Sequence, residues 1–109
     1  RWVLETIDGV KADTAGLPKG RPSIELDAER GRITGHGGCN MFSGTFYAGA
    51  ENRIITGSLA ATKMACENMK PENEIIRSLA DAALQYSVSG DLLTLTTASG
   101  KKLVFKKFR

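Results

Sequence analysis

The chain has 109 residues, 41% of them hydrophobic and 25% charged, with only three prolines; this is one globular domain with a packed core, which excludes a second domain and a disordered, collagen-like or mucin-like chain. No apolar run exceeds three residues, as in Trp2-Val3-Leu4, against the roughly 20 that a membrane-spanning helix needs. The net charge of +3 is local, because Lys101, Lys102, Lys106, Lys107 and Arg109 close the chain while residues 1–100 carry ten positive and twelve negative charges; a nucleic-acid footprint of basic residues interleaved with aromatics is therefore not expected.

Short alternating segments separated by Gly, Asp and Asn predict antiparallel sheet. Trp2–Ile7 is the first, ending at the turn Asp8-Gly9. After a loop holding Gly16, Pro18, Gly20 and Pro22, Ser23–Asp27 directs Ile24 and Leu26 to one side, and it reads as a hairpin with residues 32–35. Residues 40–47 carry Met41, Phe42, Phe46 and Tyr47, and Gly44 among them predicts a bulge or bend. Beyond a polar turn, residues 53–57 and 59–62 continue as strand. The period then changes. Ile75, Ile76, Leu79, Ala82 and Ala83 fall at helical spacing with Glu72, Glu74, Arg77 and Asp81 outward, which predicts one amphipathic helix over residues 71–83 with acidic residues in its first turn. Strands over residues 86–88, 92–97 and 102–108, joined by Gly-containing turns, finish a meander. The expected fold is α+β, mainly β: an incomplete, strongly curved antiparallel β-barrel of about eight strands packed on one α-helix.

The densest unusual feature is Gly35-His36-Gly37-Gly38-Cys39-Asn40. A phosphate-binding loop needs Gly-Lys-Ser/Thr opening a helix, whereas these glycines lead into a strand. His36 as base for the Cys39 thiol would make a nucleophilic pair, and a thiol-dependent enzyme is the alternative reading. However, residues three apart in an extended segment need not face each other. Cys39 and Cys66 are the only cysteines, and they read either as a disulfide or as two buried thiols. A bond closing this loop of 28 residues, counted inclusively, is worth about 3.6 kcal/mol by chain entropy and would indicate an oxidising compartment. With one histidine, these cysteines fall short of a zinc set, and Met41, Met64 and Met69 follow no metal spacing. Neither a metal nor a cofactor is expected. Glu72 with Glu74, and Glu25 with Asp27, lie on polar sides and read as solvated faces rather than acid/base pairs.

Gly35, Gly38, Cys39, Asn40, Gly44 and Tyr47 together resemble the signature of META/HslJ-like domains, and Thr62, Met64, Ala65 and Cys66, followed by Glu74 opening a helix, resemble the family's second block. The resemblance implies a single domain over residues 1–109, an incomplete barrel wrapped on one helix, and no established catalytic activity or cofactor. It implies a bacterial cell-envelope accessory domain, periplasmic or outer-membrane-attached, stress-associated, monomeric, and reaching the membrane only through a lipid anchor upstream of Arg1. It also implies that Gly37 and Gly38 let Cys39 approach Cys66 and that Thr62 hydrogen-bonds beside that junction. The expected partner is an envelope protein or a hydrophobic small molecule. If the barrel is open at one side, Phe42, Phe46, Tyr47, Met64 and Met69 would line an apolar groove for an acyl chain or hydrophobic peptide.

Overall fold

In the computed structural model, which describes residues 1–108, the alternating segments pair largely in chain order. They form β1 (Trp2–Ile7), β2 (Val10–Lys11), β3 (Ser23–Asp27), β4 (Arg32–His36), β5 (Met41–Gly49), β6 (Arg53–Ala61), β7 (Ala83–Ser89), β8 (Leu92–Thr96) and β9 (Lys102–Lys107), with α1 (Lys70–Leu79) between β6 and β7. Every pairing is antiparallel, and the mainly β, α+β architecture matches the reading of the sequence. Arg109, the last residue of the basic cluster, lies outside the described residues.

One difference concerns closure. An incomplete barrel was expected, but β1 pairs with β9 from Trp2↔Lys107 to Ile7↔Leu103, with a bulge between Leu4 and Thr6, and this completes an eight-stranded ring. The other joint of β1 is brief. It pairs with β3 only at Trp2↔Ile24 and Val3↔Ser23, and Leu4 N–H donates to the Pro22 carbonyl at 2.8 Å just beyond. The ninth strand, β2, lies outside the ring on the far half of β1. Two residues are too short to show alternation, so the sequence pattern predicts no strand there. It forms because Asp8 (φ 51°) and Gly9 (φ 80°) both take left-handed backbone, the geometry of a two-residue hairpin turn.

The register of β5 and β6 shifts between Gly44 and Phe46, which is the bulge that Gly44 predicts. Residues 53–57 and 59–62, read as two pieces, are mostly the single strand β6. Leu4, Ile24, Ile33, Phe42, Leu93, Leu95, Leu103 and Phe105 point inward from the ring, and α1 meets them with Ile75 and Leu79. Burying these side chains out of water is the main cohesive force, about 25 cal/mol per Å² of apolar surface.

The helix is shorter than its periodicity predicts, and Glu72 lies on its buried side rather than its solvated one. It ends at Leu79, and Ala80 is already extended. Thr56 of β6 accounts for the early stop. Its hydroxyl donates to the Leu79 carbonyl at 2.5 Å and accepts from Ala82 N–H at 2.9 Å, while Thr56 N–H donates to the Ala82 carbonyl at 2.9 Å. Ala82 and Ala83 are thereby taken from the predicted helix toward the β6–β7 pairing. Glu72, expected on the solvated face with Glu74, is instead 2% exposed.

Candidate functional site

Glu72 is buried because three polar hydrogens converge on it from the turn between β4 and β5. Oε1 accepts from Cys39 N–H at 3.2 Å and Asn40 N–H at 2.5 Å, and Oε2 accepts from the Asn40 side-chain amide at 2.6 Å. Asn40 is filled on all sides. Its Nδ2 also donates to the Met64 carbonyl at 3.0 Å, and its Oδ1 accepts from Met64 N–H at 2.7 Å and the Thr62 hydroxyl at 2.9 Å. Two donors and two acceptors are all that a primary amide offers. Thr62 also accepts from Met41 N–H at 3.1 Å. The turn, the segment after β6 and the first turn of α1 are therefore joined through one side-chain amide and one carboxyl.

The disulfide Cys39–Cys66, with its Cα atoms 6.2 Å apart, fastens two of these pieces covalently, the turn and the segment after β6. Two glycines make the approach feasible. A Cβ on Gly37 would lie 2.7 Å from Glu72 Cα, inside the helix backbone, and Gly38 (φ +100°) would place one 2.8 Å from Leu17 Cδ1. His36 closes the turn by accepting from Gly38 N–H on Nδ1 at 3.0 Å. Burial, then repulsion from Arg1 and Lys19, hold its pKa below the ordinary 6.5, with Glu72 opposing. A thiol nucleophile at Cys39 is not present in this arrangement, because its Sγ is bonded to Cys66.

The residues expected to line an apolar groove are not brought together. Phe42 and Phe46 point into the core, while Tyr47 and Met64 are exposed on the outside at 64% and 50%; Met69 is the N-cap of α1. Glu74 lies on the outer side of the helix, where its Oε2 pairs with Lys101 Nζ at 2.6 Å. That hydrogen bond is the main reason its pKa is lowered. Among the described residues, no group of three or more His, Cys, Asp or Glu is placed to hold a metal ion.

This junction of a glycine turn, a Cys-Asn pair and a second cysteine block agrees with the comparison to known sequences, in which the META domain family matches residues 1–108. The chain belongs to the META domain family. Among solved structures, this META domain is similar to a protein determined by NMR, at 30% identity and a TM-score of 0.73, covering 96% of this chain and 86% of that one. It also resembles a Burkholderia xenovorans protein determined by NMR, at 23% identity and a TM-score of 0.73, covering 99% and 81%. A DUF4847 family protein from Bacteroides vulgatus aligns at 22% identity and a TM-score of 0.55, over 78% of this chain and 57% of that one. The last two show the fold alone. No curated protein matches the sequence.

Within the META domain, both signature blocks therefore meet at one place: Cys39, Asn40, Thr62, Met64 and Cys66 are all in the junction. Gly35 and Gly44 serve the sheet beside it, since a Cβ on Gly35 would stand 3.0 Å from the Phe42 ring and one on Gly44 would stand 2.6 Å from the Ser58 carbonyl. Spacing places Glu72 on the solvated side, opposite to where it lies, and gives Thr56 no distinguishing mark. Their only sequence signal is a polar residue on the helix face that carries Ile75 and Leu79, or inside an alternating strand, and solvated residues give the same signal.

Proposed function

We propose that this META domain is a non-catalytic accessory module of the bacterial envelope, held rigid by its disulfide and working by binding a protein partner through its outer surface. The observation that carries this reading is the junction itself. The chemically distinctive residues, Cys39, Asn40, Cys66 and Glu72, are bonded to one another and hold three segments together. A disulfide of this kind is kept in oxidising compartments, which supports a periplasmic or outer-membrane-attached location. Tyr47, Met41 and Met64 stand exposed outside the ring, the mixture of aromatic and Met side chains that protein contacts favour.

The test pairs protein recovered from a bacterial periplasm with protein made in the cytosol. Alkylation of the unfolded, unreduced chain followed by mass analysis is expected to find no free thiol in the periplasmic material. Two alkylated cysteines there would overturn the envelope assignment. Hydrolase and thiol-transfer screens are expected to be blank. Turnover abolished by Cys39→Ser or His36→Ala would favour the thiol-enzyme alternative.

A further inference from the structure

Outside the closed ring, β2 pairs on one side only among the described residues. β2 bonds to β1 through Ile7↔Val10 and Thr6↔Lys11, and Ala12 N–H donates to the Glu5 carbonyl at 3.4 Å. In an antiparallel ladder successive residues turn their backbone groups to opposite sides, so Val10 and Ala12 face β1 and the N–H and C=O of Lys11 face away. That side borders a cleft of about 400 Å³ lined by β2 and Ile7, by the start of α1 (Lys70, Pro71, Glu74) and by Lys101. Residues 10–13 all line it consecutively. Asn68, which bonds the carbonyl of Asp13 on the same outward side, also lines the cleft, so the cleft runs along the outward edge of this segment. Farther along, the Asn68 side chain already donates to the carbonyls of Asp13 and Ala15 at 3.5 and 3.4 Å, which leaves Lys11 as the open position.

The charges around the cleft are unevenly satisfied. Asp8 accepts from Lys102 N–H at 2.8 Å, Asp13 accepts from Ala15 N–H at 3.0 Å, and Glu74 pairs with Lys101. Lys11 and Lys70 make no ion pair among the described residues. Val10, at 69% exposure, is the most exposed of the large apolar side chains. An open backbone edge, an apolar contact beside it and the ammonium groups of Lys11 and Lys70, the latter acting on Glu74 without a close ion pair, together fit an extended strand that carries carboxylates.

We propose that this cleft binds an extended acidic segment of a partner protein, which adds as a short strand to β2, packs its apolar residues on Val10 and pairs its carboxylates with Lys11 and Lys70. This rests on the reading of the domain as a binding module and names the chemistry of its partner.

The probe is a synthetic seven-residue peptide of alternating valine and glutamate, titrated into the full chain and followed by backbone amide shifts, with a valine–lysine peptide as counterpart. Saturable shifts at Lys11, Ala12 and Lys70 are expected with the glutamate peptide, and binding at least tenfold weaker with the lysine peptide. Lys11→Pro removes the open N–H and is expected to weaken binding about tenfold. If that variant loses the hairpin, the double variant Lys11→Glu with Lys70→Glu serves instead, and it should reverse the preference between the two peptides. No shift at millimolar peptide, equal binding of both peptides, or shifts mapping to Tyr47 and Met64 would each overturn the site. Those outcomes leave the compartment unaffected, whereas free thiols in periplasmic protein would overturn the compartment and not the site.

Discussion

The N-terminal half of α1 carries two carboxyls two residues apart whose surroundings are opposite. Glu72 faces inward, accepts three hydrogen bonds and is sealed from water. Glu74 faces the cleft, makes one ion pair with Lys101, and that pair has about 30% of its side-chain surface exposed on each side (27% and 31%). Removing a partner from a buried polar group costs the whole desolvation of what is left behind, whereas an exposed pair exchanges one set of water contacts for another. Within one turn of helix, the same side chain is a structural fastener at one position and a minor surface contact at the other.

The largest way to break this contrast is at the buried end. Glu72→Ala leaves Cys39 N–H, Asn40 N–H and the Asn40 amide without acceptors and is expected to cost about 3–5 kcal/mol. In a domain of this size that should lower Tm by about 12 °C or more on a calorimetric scan. A loss below about 1 kcal/mol would mean that water reaches the junction. Asn40→Asp is nearly isosteric yet puts acceptor against acceptor at both Glu72 Oε2 and the Met64 carbonyl, and should cost about 3 kcal/mol.

Reduction of Cys39–Cys66 tests the covalent half of the same region. The chain-entropy model gives about 3.6 kcal/mol for the loop it closes, and denaturant melts with and without reductant measure it. If the hydrogen bonds keep the reduced segment in place, Glu72→Ala should remain as costly in reduced protein as in oxidised. If the disulfide alone holds residues 62–66, the two losses will not add.

Thr56→Val probes a smaller buried joint. It removes the hydroxyl that receives Ala82 N–H and donates to the Leu79 carbonyl, with an expected loss of about 1–2 kcal/mol by urea titration. At the rim of the junction, the lowered pKa of His36 gives a pH signature. The unfolded chain protonates this imidazole first, so stability is full above about pH 6.5 and falls as pH drops below it toward the lowered folded value. His36→Asn, which retains an acceptor for Gly38 N–H, should flatten that decline in melts between pH 7 and 5.

The exposed end should show the smallest effect. Glu74→Gln breaks the pair with Lys101 and is expected to cost at most about 0.5–1 kcal/mol, shrinking further in high salt. Its lowered pKa means that the contribution is present at neutral pH and lost as pH falls below the ordinary carboxyl range. A loss as large as that of Glu72→Ala would erase the distinction between the two positions.

What the sequence determined by itself was everything that rests on local period and turn chemistry. The alternation of Ile24 with Leu26 and of Leu93 with Leu95, the bulge at Gly44, a helix around Ile75 and Leu79, and the pairing of short strands into one curved sheet were all legible, because a residue's side of a strand or helix follows from its spacing. The two blocks around Cys39 and Cys66 were legible as a resemblance. Tertiary structure alone decided the rest. Closure of the ring depends on β1 meeting β9 across the whole chain, and no local pattern encodes that. The helix stops at Leu79 because Thr56, on another strand, takes its last carbonyl. Glu72 is inside rather than outside because its hydrogen-bond donors come from residues more than 30 positions away. A polar residue's place is set by whether distant partners can replace water, and the sequence around it carries no record of them.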